Sequence, residues 1–155
     1  MIDTLDPYNL QRFVDAQNEL FGRTRSTIFE KACQELRNGR KQEHWMWFVF
    51  PQVKGLGESS MSRKFAIASR AEAEAYLKHP VLGPRLRECT RLMNGIEGRT
   101  AGQILGRTDE LKFRSSMTLF AHATPDNQVF VDAVKKYFQG EFDGSTLAHL
   151  GDAGS

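Results

Sequence analysis

The most constraining feature of this sequence is a run of six consecutive apolar residues, Trp45 to Phe50, that ends at Pro51. Four of the six are aromatic. Neither the helical period of 3.6 nor the strand period of 2 gives the run a polar face, so it must be buried on all sides. The run therefore predicts a core segment, as a short helix or as an extended piece, and Pro51 favours an extended backbone at Phe50.

The residues that border the run support a second interpretation. Lys41 and His44 precede it, while Gln52, a Gly-Leu-Gly loop at 55–57 and Ser59 follow it. An aromatic wall beside basic side chains and a glycine loop suits a pocket for a planar ring that carries an anionic group. The loop matches neither the dinucleotide-binding nor the phosphate-loop fingerprint, and no strand–helix–strand pattern surrounds it.

The rest of the sequence predicts amphipathic helices with clear start and stop signals. Predicted starts are at Asn9 as an N-cap, near Ser26, at the Ser69-x-x-Glu72 capping box, at Gly83-Pro84, at Thr108 and at Asp126, and shorter segments cover 100–105 and 145–150. Strand-like alternation is nowhere sustained. We expect an all-α, compact, multihelical single domain of about seven or eight helices over residues 8–150, followed by a loose C-terminal tail at 151–155.

A third segment places polar residues along one face of a predicted helix. Asp109 and Lys112 are three residues apart, a spacing that usually gives a surface ion pair. Ser115, Ser116 and Thr118 follow, and hydroxyls there either bond back to carbonyls of the preceding turn or line a polar pocket. A nucleophilic serine at this place would need a His or Lys beside it.

Charge is unevenly distributed although the net charge is only +2. Residues 37–70 contain seven basic and two acidic side chains, whereas residues 126–155 contain five acidic and two basic ones. The two segments either attract each other across the fold or leave a basic surface for an anion. The small net charge makes nucleic acid an unlikely partner.

Other classes of protein are disfavoured by what the sequence lacks. No apolar run is long enough to span a membrane, and no signal peptide is evident, so a cytoplasmic location is expected. Cys33 and Cys89 lie 56 residues apart without a CxxC motif and are expected to be reduced, packed thiols. The four histidines stand singly, and neither a metal nor a cofactor is expected.

Three motifs resemble those of a bacterial family known as domain of unknown function 1810. They are the His44-Trp45-Met46-Trp47-Phe48-x-Phe50-Pro51-Gln52 string, the Gly55-Leu56-Gly57-x-Ser59 loop and the Asp109-x-x-Lys112-x-x-Ser115-Ser116-Met117-Thr118-Leu119-Phe120 helix. The resemblance covers about residues 10–150 and implies a compact, mostly helical fold without a settled activity. Some relatives carry the label calpastatin, which the core and helix caps of this chain do not support.

These observations lead to two hypotheses. The first is a pocket for a small anionic, nucleotide-like ligand between the Trp-rich segment, the Gly-Leu-Gly loop and the 109–120 helix. If such a protein were an enzyme, Asp109, His44 or Lys112 would serve as acid or base. The alternative is a non-catalytic protein interaction module, whose protein partner the sequence does not identify. Candidate ligand-binding residues are Lys41, His44, Trp45, Trp47, Gln52, Gly55, Gly57, Ser59, Asp109, Lys112, Ser115 and Ser116.

Overall fold

A computed structural model describes residues 5–57 and 59–151, and this part of the chain contains ten helices and no strand. The helices are α1 (Gln11–Asn18), α2 (Ile28–Arg37), α3 (Met46–Val49), α4 (Ser60–Lys64), α5 (Arg70–Lys78), α6 (Leu82–Asn94), α7 (Ala101–Leu105), α8 (Arg107–Ala121), α9 (Gln128–Phe138) and α10 (Gly144–His149). The all-α expectation is confirmed, but the expected seven or eight helices are too few. The two additional helices, α3 and α4, have four and five residues, too few to show a helical period in the sequence. Gly151 is an exposed turn residue, and the other residues of the expected tail lie outside the described part.

Several predicted helix starts are confirmed by their hydrogen bonds. The hydroxyl of Ser69 accepts from the N–H of Glu72 at 3.1 Å, which confirms the helix start, but the predicted capping box is incomplete because the Glu72 carboxylate accepts from the N–H of Ala68. Thr27 and Thr100 form complete capping boxes at α2 and α7. These signals lie within one turn of the helix that they start, which is why the sequence alone predicts them.

Three predicted caps are wrong. Asn9 has a positive φ of 51°, and the carboxylate of Asp6 accepts from the first N–H groups of α1 instead. Thr108 lies inside α8, because Gly106 at φ 92° ends α7 and starts α8 directly. Asp126 lies outside α9, whose N-cap position is Asn127.

The aromatic run forms the centre of the core. Trp45, Phe48 and Phe50 are buried, and Phe50 makes an edge contact with Phe113 of α8 at a ring-centroid distance of 4.9 Å. Trp47 is only half-buried. The run is therefore mostly core, with one side chain left at the surface.

Residues 53–67 leave the core as a closed loop that carries α4. A parallel bridge pairs Val53 with Ile67 and ties the two ends together. Arg12 on α1 then fastens the returning chain, since its guanidinium donates to the carbonyls of Lys64 and Ala66 at 2.9 Å each. The loop is thus fixed at its base while its outer part, including the Gly-Leu-Gly segment, borders solvent.

Candidate functional site

Two adjoining clefts lie on either side of the Gly-Leu-Gly loop. The first cleft has a volume of about 300 Å³ and the second about 260 Å³. The first cleft is lined by Trp47, Gln52, Val53, Lys54, Gly55, Gly57, Ser62, Arg63, Phe65 and Ala66. The second cleft is lined by Gln52, Leu56, Gly57, Thr108, Leu111, Lys112, Ser115, Asp143 and Ser145. Gln52 and Gly57 line both clefts, so the two adjoin, and we refer to them together as the depression.

The first cleft combines an aromatic wall with positive charge. Trp47 contributes the ring, and Lys54 and Arg63 contribute the cations. Gly57 is required by close packing, because a Cβ atom there would lie 2.5 Å from the Oγ of Ser62. Such an environment favours an anion beside a flat apolar group.

A chain of charges connects the Trp-rich segment to α8. The carboxylate of Asp109 lies 2.9 Å from the Nζ of Lys41 and 3.3 Å from the Nζ of Lys112. Each ammonium also lies over a tryptophan ring, Lys41 at 5.1 Å from the Trp45 centroid and Lys112 at 5.3 Å from the Trp47 centroid. Asp109 therefore holds Lys112 at the boundary between the two clefts.

The hydroxyl groups of α8 join that helix to α10. Ser115 Oγ donates to the carbonyl of Leu111 and contacts Asp143 Oδ2, both at 3.1 Å. Thr118 Oγ1 donates to the carbonyl of Arg114 and accepts from the N–H of Asp143. Both interpretations apply to Ser115, which bonds to the preceding turn and also lines the second cleft, whereas Thr118 bonds to the preceding turn and does not line it.

Asp143 organises the other wall of the second cleft. Its Oδ2 accepts from the N–H of Thr146 at 3.0 Å and caps α10. The cap places Ser145 at the cleft and brings the ring of His149 next to Gly55, where a Cβ atom would lie 3.5 Å from its Cε1. Residues from the C-terminal end of the chain thus complete a site whose other residues come from its middle.

Six candidate residues line neither cleft. Lys41 and Asp109 are linked to the second cleft through the ion pair of Asp109 with Lys112. The other four candidates lie elsewhere. His44 is exposed and lines a separate groove beside Asp15 on α1. Ser59 is exposed and caps α4, where its hydroxyl contacts that of Ser62 at 2.9 Å. Ser116 is buried, and its hydroxyl has no hydrogen-bond partner among the described residues.

Trp45 is the fourth, because it lies in the core. Its Nε1 donates to Glu35 Oε1 at 2.9 Å, and the same oxygen accepts from the backbone N–H groups of Gln42 and Glu43. Glu35 therefore fixes the segment that leads into the aromatic run. Lys41, Trp47, Gln52, Gly55, Gly57, Asp109, Lys112 and Ser115 are the candidates that the structure brings together.

Sequence reasoning missed the residues that support the site from distant parts of the chain. Arg12, Glu35 and His149 carry no local signal that links them to the clefts. Asp143 does carry one, because an Asp three residues before Thr146 is a typical N-cap pattern.

Charged side chains of the basic segment (37–70) and of the acidic segment (126–155) pair mainly with residues that lie between the two segments in the sequence. Lys41 pairs with Asp109, Asp126 lies 3.8 Å from Arg87, and Glu141 lies 3.8 Å from Arg114. In the described ranges no group of three His, Cys, Asp or Glu side chains could hold a metal ion. No described helix has both the length and the apolar composition that a membrane crossing requires.

Comparisons with known proteins place the chain in a family. The profile of the family described as a protein of unknown function, DUF1810, matches residues 7–150. This chain belongs to the DUF1810 family. The chain is also similar to a protein of known crystal structure, the conserved hypothetical protein Rv1873 from Mycobacterium tuberculosis, to which it is 49% identical. The match covers 94% of this chain and 99% of that chain with a TM-score of 0.88, while a search of curated proteins gives no match.

Proposed function

We propose that this DUF1810 protein binds a small anionic ligand with a planar ring, such as a nucleotide, in the depression formed by the two clefts. The observation that carries the proposal is the composition of the first cleft, which sets the half-buried Trp47 beside Lys54 and Arg63. A ring would stack on Trp47 while the two cations bind a phosphate.

Lys112 and Gln52 support the same ligand from the boundary between the clefts. Lys112 is oriented by Asp109 and lies over Trp47, and Gln52 lines both clefts with its amide. A ligand that spans the boundary would meet a cation and an amide there. The hydroxyl groups of Thr108 and Ser145 would then contact its polar remainder in the second cleft.

The proposal is for binding and includes no chemical step. Ser115 contacts the carbonyl of Leu111 and the carboxylate of Asp143, and Asp143 Oδ2 already accepts from the N–H and the hydroxyl of Thr146 as the cap of α10, which suits a structural role. Asp109 is an ion-pair partner of two lysines, which suits a positioning role.

Titration calorimetry with three graded probes tests the proposal. We expect adenosine 5′-monophosphate to bind more tightly than ribose 5-phosphate, and ribose 5-phosphate more tightly than inorganic phosphate. Stacking of one base on an aromatic ring contributes about 1–3 kcal/mol, so Trp47→Ala is expected to reduce the affinity for the nucleotide to that for the sugar phosphate. At about 100 times Kd, the nucleotide would stabilise the fold by about 2.7 kcal/mol, which a thermal-shift assay also detects.

Variants that remove one positive charge from the first cleft test where the anionic group of the ligand binds. Lys54→Gln and Arg63→Gln are each expected to weaken nucleotide binding about tenfold or more, because a hydrogen bond to a charged group contributes about 1.5–3 kcal/mol. Lys135→Gln, at an exposed position on α9, is the matched control and is expected to leave the affinity unchanged. Binding that all three variants leave intact would place the ligand elsewhere. Absence of binding for every probe would favour the protein interaction module.

A further inference from the structure

Two thiols that are far apart in the sequence meet in the core. Cys33 on α2 and Cys89 on α6 are separated by 56 residues, and their Sγ atoms lie 4.0 Å apart. Both are free thiols with exposed fractions of 4% and 0%. Both side chains are packed in the core, as expected, but no local pattern in the sequence indicates that the two are neighbours.

We infer that Cys33 and Cys89 form a redox modification site that a hydroperoxide converts to a disulfide joining α2 to α6. A disulfide has an S–S distance of about 2.05 Å, so the two sulfur atoms must approach by about 2 Å. Each side chain supplies part of this movement by rotating about its own bonds. Their helices, α2 and α6, already pack together. No third cysteine exists in the chain to compete for the bond.

The surroundings assign different roles to the two sulfur atoms. A hydrogen bond from the Cys89 thiol lowers the pKa of Cys33, and the nearby cations Arg37 and Arg85 act in the same direction, against burial and Glu88. The same hydrogen bond, together with burial, raises the pKa of Cys89. Cys33 is also the less buried of the two, with an exposed fraction of 4% against 0% for Cys89, so we assign Cys33 as the nucleophile and Cys89 as the resolving thiol.

A cleft lies about one helical turn beyond the two cysteines. Leu36 and Leu92, each three residues after a cysteine, line this cleft, which has a volume of about 490 Å³ and lies between the ends of α2 and α6. We expect a small oxidant to approach Cys33 from this side.

Two balanced steps give the disulfide. The Cys33 thiolate attacks one peroxide oxygen, so an S–O bond forms, the O–O bond breaks, and hydroxide leaves and takes up a proton as water. The Cys89 sulfur then attacks the Cys33 sulfenic acid, so the S–S bond forms, the S–O bond breaks, and water leaves with the Cys89 proton. The peroxide gains the two electrons that the thiols lose, and a dithiol reductant reverses the change.

Intact-mass analysis of the folded protein after brief exposure to hydrogen peroxide tests this inference. After the remaining thiols are alkylated, we expect a monomer that has lost two hydrogen masses and takes up no alkylating agent. Its digest is expected to contain one cross-linked pair of peptides that carry Cys33 and Cys89, and dithiothreitol is expected to restore both thiols. The far-ultraviolet circular dichroism of the oxidised protein is expected to match that of the reduced protein, with a higher Tm.

The Cys89→Ser variant separates the two roles. Without a resolving thiol, Cys33 is expected to gain one oxygen mass instead of losing hydrogen. The inference is overturned if folded wild-type protein keeps both thiols under conditions that cross-link the unfolded chain. It is equally overturned if the cross-link forms only with loss of helical signal or only between two molecules.

Discussion

Trp45 and Trp47 are two residues apart and have different environments. Trp45 is buried and donates its indole N–H to Glu35, while Trp47 is half-buried and lines the first cleft. Trp45 is the N-cap residue of the one-turn helix α3 and Trp47 lies inside that helix, so their side chains point in different directions. One residue therefore supports the core and the other is available to a ligand.

Replacement of each tryptophan by phenylalanine measures how much each side chain contributes to the free energy of unfolding. Trp45→Phe removes a hydrogen bond to a buried carboxylate and leaves a small cavity, so the free energy of unfolding is expected to fall by about 2–4 kcal/mol. Trp47→Phe is the matched control and is expected to cost about 1 kcal/mol or less, because the side chain is half-exposed. Urea denaturation measures both values, and equal losses would contradict the role assigned to Glu35.

At the scale of helices and loops, the side chain of Arg12 connects several segments around the site. Its guanidinium on α1 donates to the end of α4, to the chain beyond it, and to the carboxylate of Glu72 on α5. Glu72 in turn accepts from the N–H of Ala68 at 3.1 Å. The loop that carries the Gly-Leu-Gly segment is therefore fixed to two helices through one side chain.

Removal of this side chain is expected to be costly. Arg12→Gln leaves Glu72 buried without its cation, and breaking such a pair costs about 3–5 kcal/mol. The side-chain exposures of Arg12 and Glu72 are 15% and 5%, whereas those of the Arg37–Glu88 pair are 58% and 49%. Arg37→Gln is therefore the control, with an expected change of about 1 kcal/mol or less.

Chemical denaturation of both variants gives these values. Hydrogen exchange adds a local measurement, in which Arg12→Gln is expected to raise the exchange rates of residues 59–67 more than those of α9. If Arg12→Gln lost as little stability as Arg37→Gln, the contacts of the Arg12 side chain would be dispensable for the fold.

Across the whole molecule, a series of aromatic contacts in the core connects α1 to α9. Phe13 of α1 contacts Tyr76 of α5, and Tyr76 contacts Phe120 of α8, at centroid distances of 5.1 and 5.3 Å. Phe120 in turn lies 6.0 Å from Phe130 of α9. We therefore expect residues 8–150 to unfold as one cooperative unit.

Two spectroscopic probes test this expectation. The two tryptophans report on the centre of the chain by fluorescence, and far-ultraviolet circular dichroism reports on all the helices. Because a two-state transition gives the same midpoint with every probe, the two denaturation curves are expected to coincide. Separate midpoints would divide the chain into more than one folding unit.

The parts of the fold that can be predicted from the sequence are those that depend on interactions between residues close together in the chain. Thr27, Thr100 and Ser69 start helices through contacts within three residues, and these starts are visible in the sequence. Asp126 fails as a cap although its residue type is favourable. Asn127 occupies that position instead, and its amide donates to the carbonyl of Ala121 in the preceding helix.

The sequence by itself determined the helical class, most helix positions and the burial of the aromatic run, because these depend on periodicity and on neighbours within a turn. Only the tertiary structure decided that Trp47 and not Trp45 borders the first cleft and that Asp143 completes the second. It also decided that Cys33 and Cys89 meet. Contacts of this kind join residues dozens of positions apart, and they follow from how the helices pack against one another, which no local pattern encodes.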